Sequence, residues 1–308
     1  MIRKDVLANL KGIFLPILTP FNRRGDIDLA AFRQNLQRYG KQKLNGIIIA
    51  GSSGEGPYLT EDERLRLIDV ARPLIRPPQL LMAGTGLETT RQTIQLSREA
   101  IARGADAVLL LTPAYFKPRM DSAALTTHFR TIADALPQPL LIYSIPQFTG
   151  IHMEAATIAR LSRHPNIAGI KESSGNLNLL RDVIRLSSPA FRVLAGSSLI
   201  LLDALGAGCS GAILGPANYI PDLCIKICNS YLHGELEAAH ALQRQIEPLV
   251  TEVNIRCGIA GVKYGADLCG YRGGMPRGPL RPLSPAEQRR VRAAFKKARI
   301  PFGHRDAV

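Results

Sequence analysis

The chain has 308 residues, of which 46% are hydrophobic and 21% are charged. This composition is ordinary for a globular protein, and the length allows one α/β domain with a full core. The apolar stretch Gly12–Leu18 is too short to cross a bilayer and contains a proline, so we expect a cytoplasmic protein that does not enter a membrane.

The net charge of +14 raises the question of a nucleic-acid partner. More than half of the excess lies in residues 271–308, which contain ten basic and two acidic residues. There the basic residues alternate with Val291 and Phe295, as on the solvated face of an amphipathic helix, and aromatic residues are not interleaved. We therefore expect no nucleic-acid binding, although a positive field would attract small anionic substrates.

Cysteine and histidine usage argues against disulfides and metal. The five cysteines form no CxxC pair and are odd in number, so we expect them to be reduced and buried. The six histidines are scattered singly and supply no cluster of zinc ligands, so we expect no metal.

Short apolar runs alternate with longer segments of helical periodicity up to about Leu232. The predicted strands are Gly12–Leu18, Gly46–Ala50, Leu80–Ala83, Ala107–Leu111, Leu140–Tyr143, Ile167–Lys171, Arg192–Ala195 and Gly211–Leu214. Eight such units predict a (β/α)8 TIM barrel with parallel strands. An open doubly wound sheet is the alternative, but no GxGxxG follows the first strand.

Helix signals agree with this scheme. Thr60 and Glu63 form a predicted capping box, and Ser284 and Glu287 repeat it. Beyond Gly234 the sequence predicts a C-terminal helical extension with helices at Glu235–Val253, Gly258–Cys269 and Pro285–Ala298. We thus assign residues 1–232 to a catalytic barrel and residues 233–308 to a helical segment that packs on the barrel or on another subunit.

In a parallel barrel the residues after each strand meet at one mouth, where the active site lies. Here they include Ser52 and Ser53 in the segment Gly51–Gly56, which we call the serine loop, and Gly196 after the seventh strand. Backbone N–H groups and serine hydroxyls suit a carboxylate. Most loops of this composition are simple turns, so the signal is weak unless other residues of the mouth support it.

Tyr143 and Lys171 end the fifth and sixth predicted strands. An amine at the end of a buried strand is partly desolvated, which favours a neutral nucleophile that can condense with a ketone. A nearby phenol can shuttle the protons of each step. This is the chemistry of a class I aldolase, which needs no cofactor besides the covalent imine with its substrate. The alternative is a lysine that extends into solvent and a tyrosine that belongs to the core.

With these motifs in order, the chain resembles the dihydrodipicolinate synthase and N-acetylneuraminate lyase family of pyruvate-handling class I barrels. The resemblance is carried by Gly51-Ser52-Ser53-Gly54-Glu55, Thr112-Pro113-Ala114-Tyr115, Tyr143-Ser144-Ile145-Pro146 and Gly169-Ile170-Lys171-Glu172. It implies a Schiff base on Lys171, acid/base catalysis by Tyr143, and carboxylate positioning and proton relay by Ser52 or Ser53. It also implies that the Ile213 carbonyl lines the pyruvate pocket, and that Tyr115 enters a neighbouring subunit's site, commonly in a homotetramer.

Departures from the family pattern concern the second substrate. Family members that make dihydrodipicolinate carry a substrate-binding arginine where this chain has Phe148. Other motifs, including Gly270-Tyr271-Arg272-Gly273-Gly274, look like the 4-hydroxy-2-oxoglutarate aldolase branch, in which Ser173 would contact the second substrate. The first hypothesis is therefore cleavage of 4-hydroxy-2-oxoglutarate to pyruvate and glyoxylate. Alternatives are dihydrodipicolinate synthesis from pyruvate and aspartate semialdehyde, cleavage of another 2-keto-3-deoxy acid or an aromatic pyruvate adduct, and a non-catalytic ligand-binding barrel.

Overall fold

Eight parallel strands in sequential order close into a barrel in the computed structural model, which describes residues 4–303. The predicted (β/α)8 architecture is confirmed. The strands are β1 (Gly12–Pro16), β2 (Gly46–Ile49), β3 (Leu80–Gly84), β4 (Ala107–Leu111), β5 (Leu140–Ser144), β6 (Ile167–Glu172), β7 (Arg192–Ala195) and β8 (Gly211–Ile213).

Helices surround the barrel and follow each strand. They are α1 (Lys4–Asn9), α2 (Leu29–Tyr39), α3 (Glu61–Ala71), α4 (Thr90–Ala102), α5 (Ser122–Ala135), α6 (Pro146–Thr149), α7 (Ala155–Leu161), α8 (Leu177–Leu186), α9 (Leu201–Gly206), α10 (Pro221–Leu232), α11 (Leu236–Val250), α12 (Gly258–Leu268) and α13 (Pro285–Lys297). Both predicted capping boxes are present, at the starts of α3 and α13. Within residues 4–303, none of these helices has the length and apolar character of a membrane span.

The core has two layers because successive strand residues point to opposite faces. One layer fills the barrel lumen and includes Phe14, Ile48, Met82, Leu141 and Ile213. The other lies between the strands and the surrounding helices. This arrangement leaves the ends of the strands as the place where polar side chains can enter the lumen.

Helix α1 was not predicted from the sequence. Its six residues are too few to show helical periodicity, yet Val6 and Leu10 are fully buried and belong to the lumen layer with Phe14. The helix therefore closes one end of the lumen, at the start of β1. A helix this short is stabilised by such tertiary contacts rather than by its own propensity.

The pairing of β5 with β6 shifts by one residue near the start of the two strands. Leu140 pairs with Ile167, whereas Leu141 pairs with Gly169, so one extra residue of β6 is accommodated there. A Cβ on residue 169 would lie 2.2 Å from the Arg192 carbonyl oxygen, so only glycine fits this irregularity.

The predicted helix at Glu235–Val253 is confirmed over most of its length and is wrong only in its last three residues. Helix α11 ends at Val250 and is followed by a π-helical turn, Thr251–Arg256. Pro248 lies inside α11 and has no N–H to donate, and the Cys257 N–H donates to Glu252 O, five residues back. Strand β1 also ends two residues early, because the Leu18 N–H donates to the Asn218 side chain instead of a neighbouring strand.

The C-terminal helices pack on the barrel unit of the same chain. Val291 and Phe295 on α13 are fully buried, and the Phe295 ring lies 5.8 Å from that of Tyr219. All five cysteines are free, as expected, but two of them were wrongly expected to be buried. Cys257 and Cys269 are partly exposed, whereas Cys209, Cys224 and Cys228 are buried.

We predict that Leu10→Ala destabilises the protein by about 2–5 kcal/mol, because it leaves a cavity at the closed end of the lumen. Thermal and urea unfolding would measure the loss. Leu232→Ala is the matched control, since Leu232 is 65% exposed and its truncation should change stability by about 0.5 kcal/mol or less. Equal effects of the two substitutions would contradict the assigned role of α1 and of Leu10, which directly follows it, in closing the lumen.

Candidate active site

Lys171 lies in the lumen near the end of β6, level with its neighbours on both sides. Its register partners are Tyr143 on β5 and Leu194 on β7. The residue is 5% exposed, and its Nζ lies 4.1 Å from the centroid of the Tyr143 ring. Among residues 4–303 no side chain or carbonyl forms a hydrogen bond or ion pair with this Nζ. The amine is therefore available to a ligand that enters the lumen.

Tyr143 connects Lys171 to the serine loop. Its ring is buried beneath the Lys171 amine, and its Oη lies 3.1 Å from the Ser52 Oγ. Either hydroxyl can act as the donor. The phenol therefore has a hydrogen-bonded neighbour that can accept or return a proton.

The serine loop has a tight internal geometry. The Glu55 N–H donates to Ser52 O and the Gly56 N–H to Gly51 O, so these two N–H groups do not point into the lumen as the sequence suggested. Ser53 lies near the end of β8. Gly215 is two residues beyond that strand, and a Cβ added there would lie 3.8 Å from Ser53 Oγ and 2.7 Å from Asn254 Nδ2. The two serines thus face different parts of the mouth.

Ser173, Gly196 and Ile213 lie around the ends of β6, β7 and β8. Ser173 is buried, and its Oγ has no hydrogen-bond partner among residues 4–303. A Cβ on Gly196 would lie 1.8 Å from that Oγ, so the serine occupies the space that the glycine leaves. Ile213 is fully buried in the lumen layer that also contains Tyr143. A buried hydroxyl without a partner suits a polar ligand group.

Tyr115 is not part of the buried group formed by Ser52, Tyr143 and Lys171. It is 79% exposed, and its ring meets that of Phe116 edge-on at 5.0 Å. Glu88 shapes this loop by accepting hydrogen bonds from the Ala114 and Tyr115 N–H groups at 3.0 and 2.9 Å. Sequence reasoning missed Glu88, although it follows the Gly84-Thr85-Gly86 segment at the end of β3.

Phe148 is 74% exposed at the start of the segment after β5. Its neighbour Gln147 donates from Nε2 to the Ser173 carbonyl at 2.8 Å, which connects α6 to the loop after Lys171. A phenyl ring at this position offers a ligand carboxylate no charge or donor.

A cavity of about 220 Å³ opens beside Ser52 and Tyr143 between β2 and β5. Its lining includes Thr112 and Arg64, neither of which was a predicted site residue. Arg64 is buried, donates to the carbonyls of Gly56 and Gly84, and leaves its Nε without a partner among residues 4–303. Burial lowers the pKa of this guanidinium. The sequence did offer a signal that Arg64 is buried. It lies on the same face of the predicted helix as Leu67 and Ile68.

Glu172 supports the loop that follows Lys171. Its side chain is buried, and its Oε1 accepts a hydrogen bond from the Ser174 N–H at 2.9 Å. Burial raises the pKa of this carboxyl group, while the bonds from Ser174 lower it. The residue is therefore placed to orient the Ser173–Ser174 backbone rather than to contact the lumen.

Lys263 on α12 is a second buried lysine, so its amine is an alternative to that of Lys171 as a nucleophile. Burial lowers the pKa of Lys263 to about 8, a property that often marks a reactive amine. However, its Nζ lies 2.6 Å from Glu55 Oε1 and donates to two backbone carbonyls, of Thr19 and Met275. This amine is fully engaged, whereas that of Lys171 is not. No group of three potential metal-binding side chains occurs within residues 4–303.

Known proteins resemble this chain over nearly its whole length. The model of the dihydrodipicolinate synthetase family matches residues 9–298. A protein of Acidiphilium cryptum named 4-hydroxy-tetrahydrodipicolinate synthase is 36% identical over 92% of this chain and 97% of its own length. A protein of Emericella nidulans, named probable mitochondrial 4-hydroxy-2-oxoglutarate aldolase, is 34% identical over 93% of this chain and 94% of its own.

Among solved structures, dihydrodipicolinate synthase from Acinetobacter baumannii, crystallised with pyruvate, superposes with a TM-score of 0.90. It is 28% identical, and the match covers 95% of this chain and 100% of the other. The similarity therefore extends over the barrel and the C-terminal helices together.

Proposed function

Since the chain belongs to the dihydrodipicolinate synthetase family, we propose that it is a metal-independent class I lyase in which Lys171 forms an imine with pyruvate or a pyruvate-derived 2-keto acid. The buried Lys171 amine supports this proposal, because it has no hydrogen bond or ion pair within residues 4–303 and lies 4.1 Å from the centroid of the Tyr143 ring. A non-catalytic barrel would have no need to keep this amine unpaired.

In the proposed reaction the Lys171 amine adds to the ketone carbon of pyruvate, and loss of water gives an iminium. The iminium withdraws electrons from the adjacent carbon, which then loses a proton and attacks the aldehyde carbon of the second substrate. Cleavage of an aldol adduct follows the same steps in reverse. Hydrolysis of the imine releases the product and restores the amine.

Tyr143 is suited to move the protons of these steps. Its hydroxyl lies 3.1 Å from Ser52 Oγ, so a proton can pass from the lumen to the serine loop. Ser52 and Ser53 would also bind the pyruvate carboxylate, with Gly196 and Ile213 lining the remainder of the pocket. The Ser173 hydroxyl, which has no hydrogen-bond partner among residues 4–303, would contact the second substrate.

The names of the relatives favour 4-hydroxy-tetrahydrodipicolinate synthesis from pyruvate and aspartate semialdehyde as the overall reaction. The sequence motifs instead favour cleavage of 4-hydroxy-2-oxoglutarate, with dihydrodipicolinate synthesis as an alternative. Cleavage of 4-hydroxy-2-oxoglutarate stays as the second candidate because Phe148 replaces the expected arginine and because the Emericella nidulans relative carries that activity in its name.

Borohydride reduction with pyruvate should attach one adduct to Lys171, visible by mass spectrometry of peptides. Lys263 is the internal comparison, because its lowered pKa alone would make it a competitor, whereas its bonds to Glu55, Thr19 and Met275 exclude it. An adduct on Lys263, or one that persists in Lys171→Ala, would refute the Schiff-base assignment.

Tyr143→Phe keeps the ring beneath Lys171 and removes only the hydroxyl. We expect turnover to fall by about 10²–10⁴-fold, the range for loss of a general acid/base group, with an unchanged melting temperature. Ser52→Ala is a useful companion, since it removes the partner of the phenol and should reduce turnover less. Normal turnover in folded Tyr143→Phe would exclude the proton-transfer role.

Phe148→Arg tests the second substrate. A guanidinium here should raise kcat/KM for aspartate semialdehyde by about tenfold or more, because a charge-assisted hydrogen bond contributes about 1.5–3 kcal/mol. Steady-state assays with pyruvate and each aldehyde would measure this in both proteins. The unsubstituted protein could instead prefer glyoxylate, with Phe148→Arg leaving kcat/KM for aspartate semialdehyde unchanged. In that case 4-hydroxy-2-oxoglutarate cleavage replaces 4-hydroxy-tetrahydrodipicolinate synthesis as the assigned reaction.

We also propose that the exposed Tyr115 completes the site of a neighbouring copy, as the family resemblance implies, in a homotetramer. Turnover per chain should then fall steeply on dilution to monomers, as followed by analytical ultracentrifugation and activity at matched concentrations. Full activity in a folded monomer would rule out this arrangement.

A further inference from the structure

The serine loop is held in an unfavourable backbone conformation at both ends. Ala50, just before the loop, and Glu55 within it both have φ of 55°, in the left-handed region that non-glycine residues seldom adopt. The backbone at Gly56 also packs closely against Ala50. A Cβ at position 56 would lie only 2.2 Å from the Ala50 carbonyl oxygen. Such strain persists only where the surrounding structure enforces it, and it concentrates at functional sites.

An ion pair from the C-terminal segment enforces part of this conformation. Lys263 Nζ on α12 lies 2.6 Å from Glu55 Oε1, and each side chain is only 1% exposed. The other carboxylate oxygen, Glu55 Oε2, accepts a hydrogen bond from the Arg277 N–H at 2.8 Å. The Glu55 carboxylate is therefore held from two sides by residues more than 200 positions later in the chain.

Lys263 reaches the same loop by a second route. Its Nζ donates to the Thr19 carbonyl at 2.8 Å, and the Thr19 Oγ1 donates to the Gly54 carbonyl at 2.7 Å. Gly54 and Glu55 directly follow Ser52 and Ser53. One buried cation thus controls two adjacent residues of the loop that carries both serines.

Added stability of the fold does not explain why Lys263 and Glu55 are buried as a pair against the serine loop. Desolvation of two charges commonly offsets the attraction between them, so a buried ion pair is weak evidence for added stability. A role in fixing one conformation fits both the strained backbone and the burial of the pair.

We propose that Lys263 is a positioning residue for the proposed reaction: through Glu55 and Thr19 it holds the serine loop so that Ser52 stays next to Tyr143 and the loop can bind the pyruvate carboxylate. This inference rests on the proposed function. It adds that pyruvate affinity depends on a contact made by the C-terminal helices, behind the loop and outside the lumen.

The test compares two carboxylate substitutions, Glu55→Gln and Glu63→Gln. Glu63 is the matched control because it also pairs with the C-terminal segment, through Arg277 Nη2 at 2.6 Å, but among residues 4–303 its side chain forms no hydrogen bond or ion pair with the serine loop. Glutamine at position 63 also keeps the capping box of α3. The measurement is the pyruvate concentration that gives half-maximal borohydride trapping on Lys171.

We expect Glu55→Gln to raise that concentration by about tenfold or more, because a displaced loop loses a hydrogen bond to the carboxylate, while Glu63→Gln changes it less than about twofold. A lowered melting temperature with unchanged half-saturation in Glu55→Gln would overturn the proposal and leave the pair a structural one.

Thr19→Val keeps the test decisive if Glu55→Gln does not fold. The substitution preserves side-chain shape and the ion pair, and it removes only the bond to Gly54. Its half-saturating pyruvate concentration should also rise, and an unchanged value would then overturn the proposal. Absence of any adduct in the unsubstituted protein would instead refute the Schiff-base function, so the two failures are distinguishable.

Discussion

The one-residue shift between β5 and β6 is the constraint on which the candidate site depends. Leu140 pairs with Ile167, but beyond the shift Tyr143 pairs with Lys171. Without this shift, Tyr143 would pair with Ile170. The Lys171 side chain would then point toward the helices, because a one-residue slip moves each side chain of a strand to the opposite face of the sheet. Gly169 permits the irregularity because no Cβ fits beside the Arg192 carbonyl. The phenol and the amine therefore share the lumen through backbone geometry rather than through any bond between them.

Around this pair, charged residues act mainly by holding loops. Glu88 holds the loop of Tyr115, Glu172 holds the backbone after Lys171, and Lys263 holds the serine loop through Glu55. Each of these contacts lies behind the residue that faces the ligand. In the described part of the chain, the lumen holds hydroxyls and the Lys171 amine, which suits the proposed movement of protons between a phenol, a serine and an imine.

The family of the chain is better defined than the proposed second substrate. Lys171 and Tyr143 are placed by the strands of the barrel. By contrast Phe148, Ser173 and Tyr115 lie on the segments between strands and helices, where related barrels differ most. Relatives whose names differ in the second substrate are 36% and 34% identical to the chain, so overall identity does not separate them. The side chain at position 148 is the more informative feature, since it decides whether a cation faces that part of the mouth.

The sequence by itself determined the barrel, because eight apolar runs separated by helical periodicity have few other ways to bury their strands. It also located Lys171, Tyr143 and the serines, since strand ends in a parallel barrel meet at one mouth. Helix α1 and the π-helical turn after α11 were missed, because a six-residue helix has too few residues to show a period and Pro248 was not recognised as the end of the regular pattern. Only the tertiary structure decided the register of β5 against β6, the lack of a partner for the Lys171 amine among residues 4–303, and the pairing of Glu55 with Lys263. These depend on contacts between residues distant in the chain, and local propensity carries no information about them.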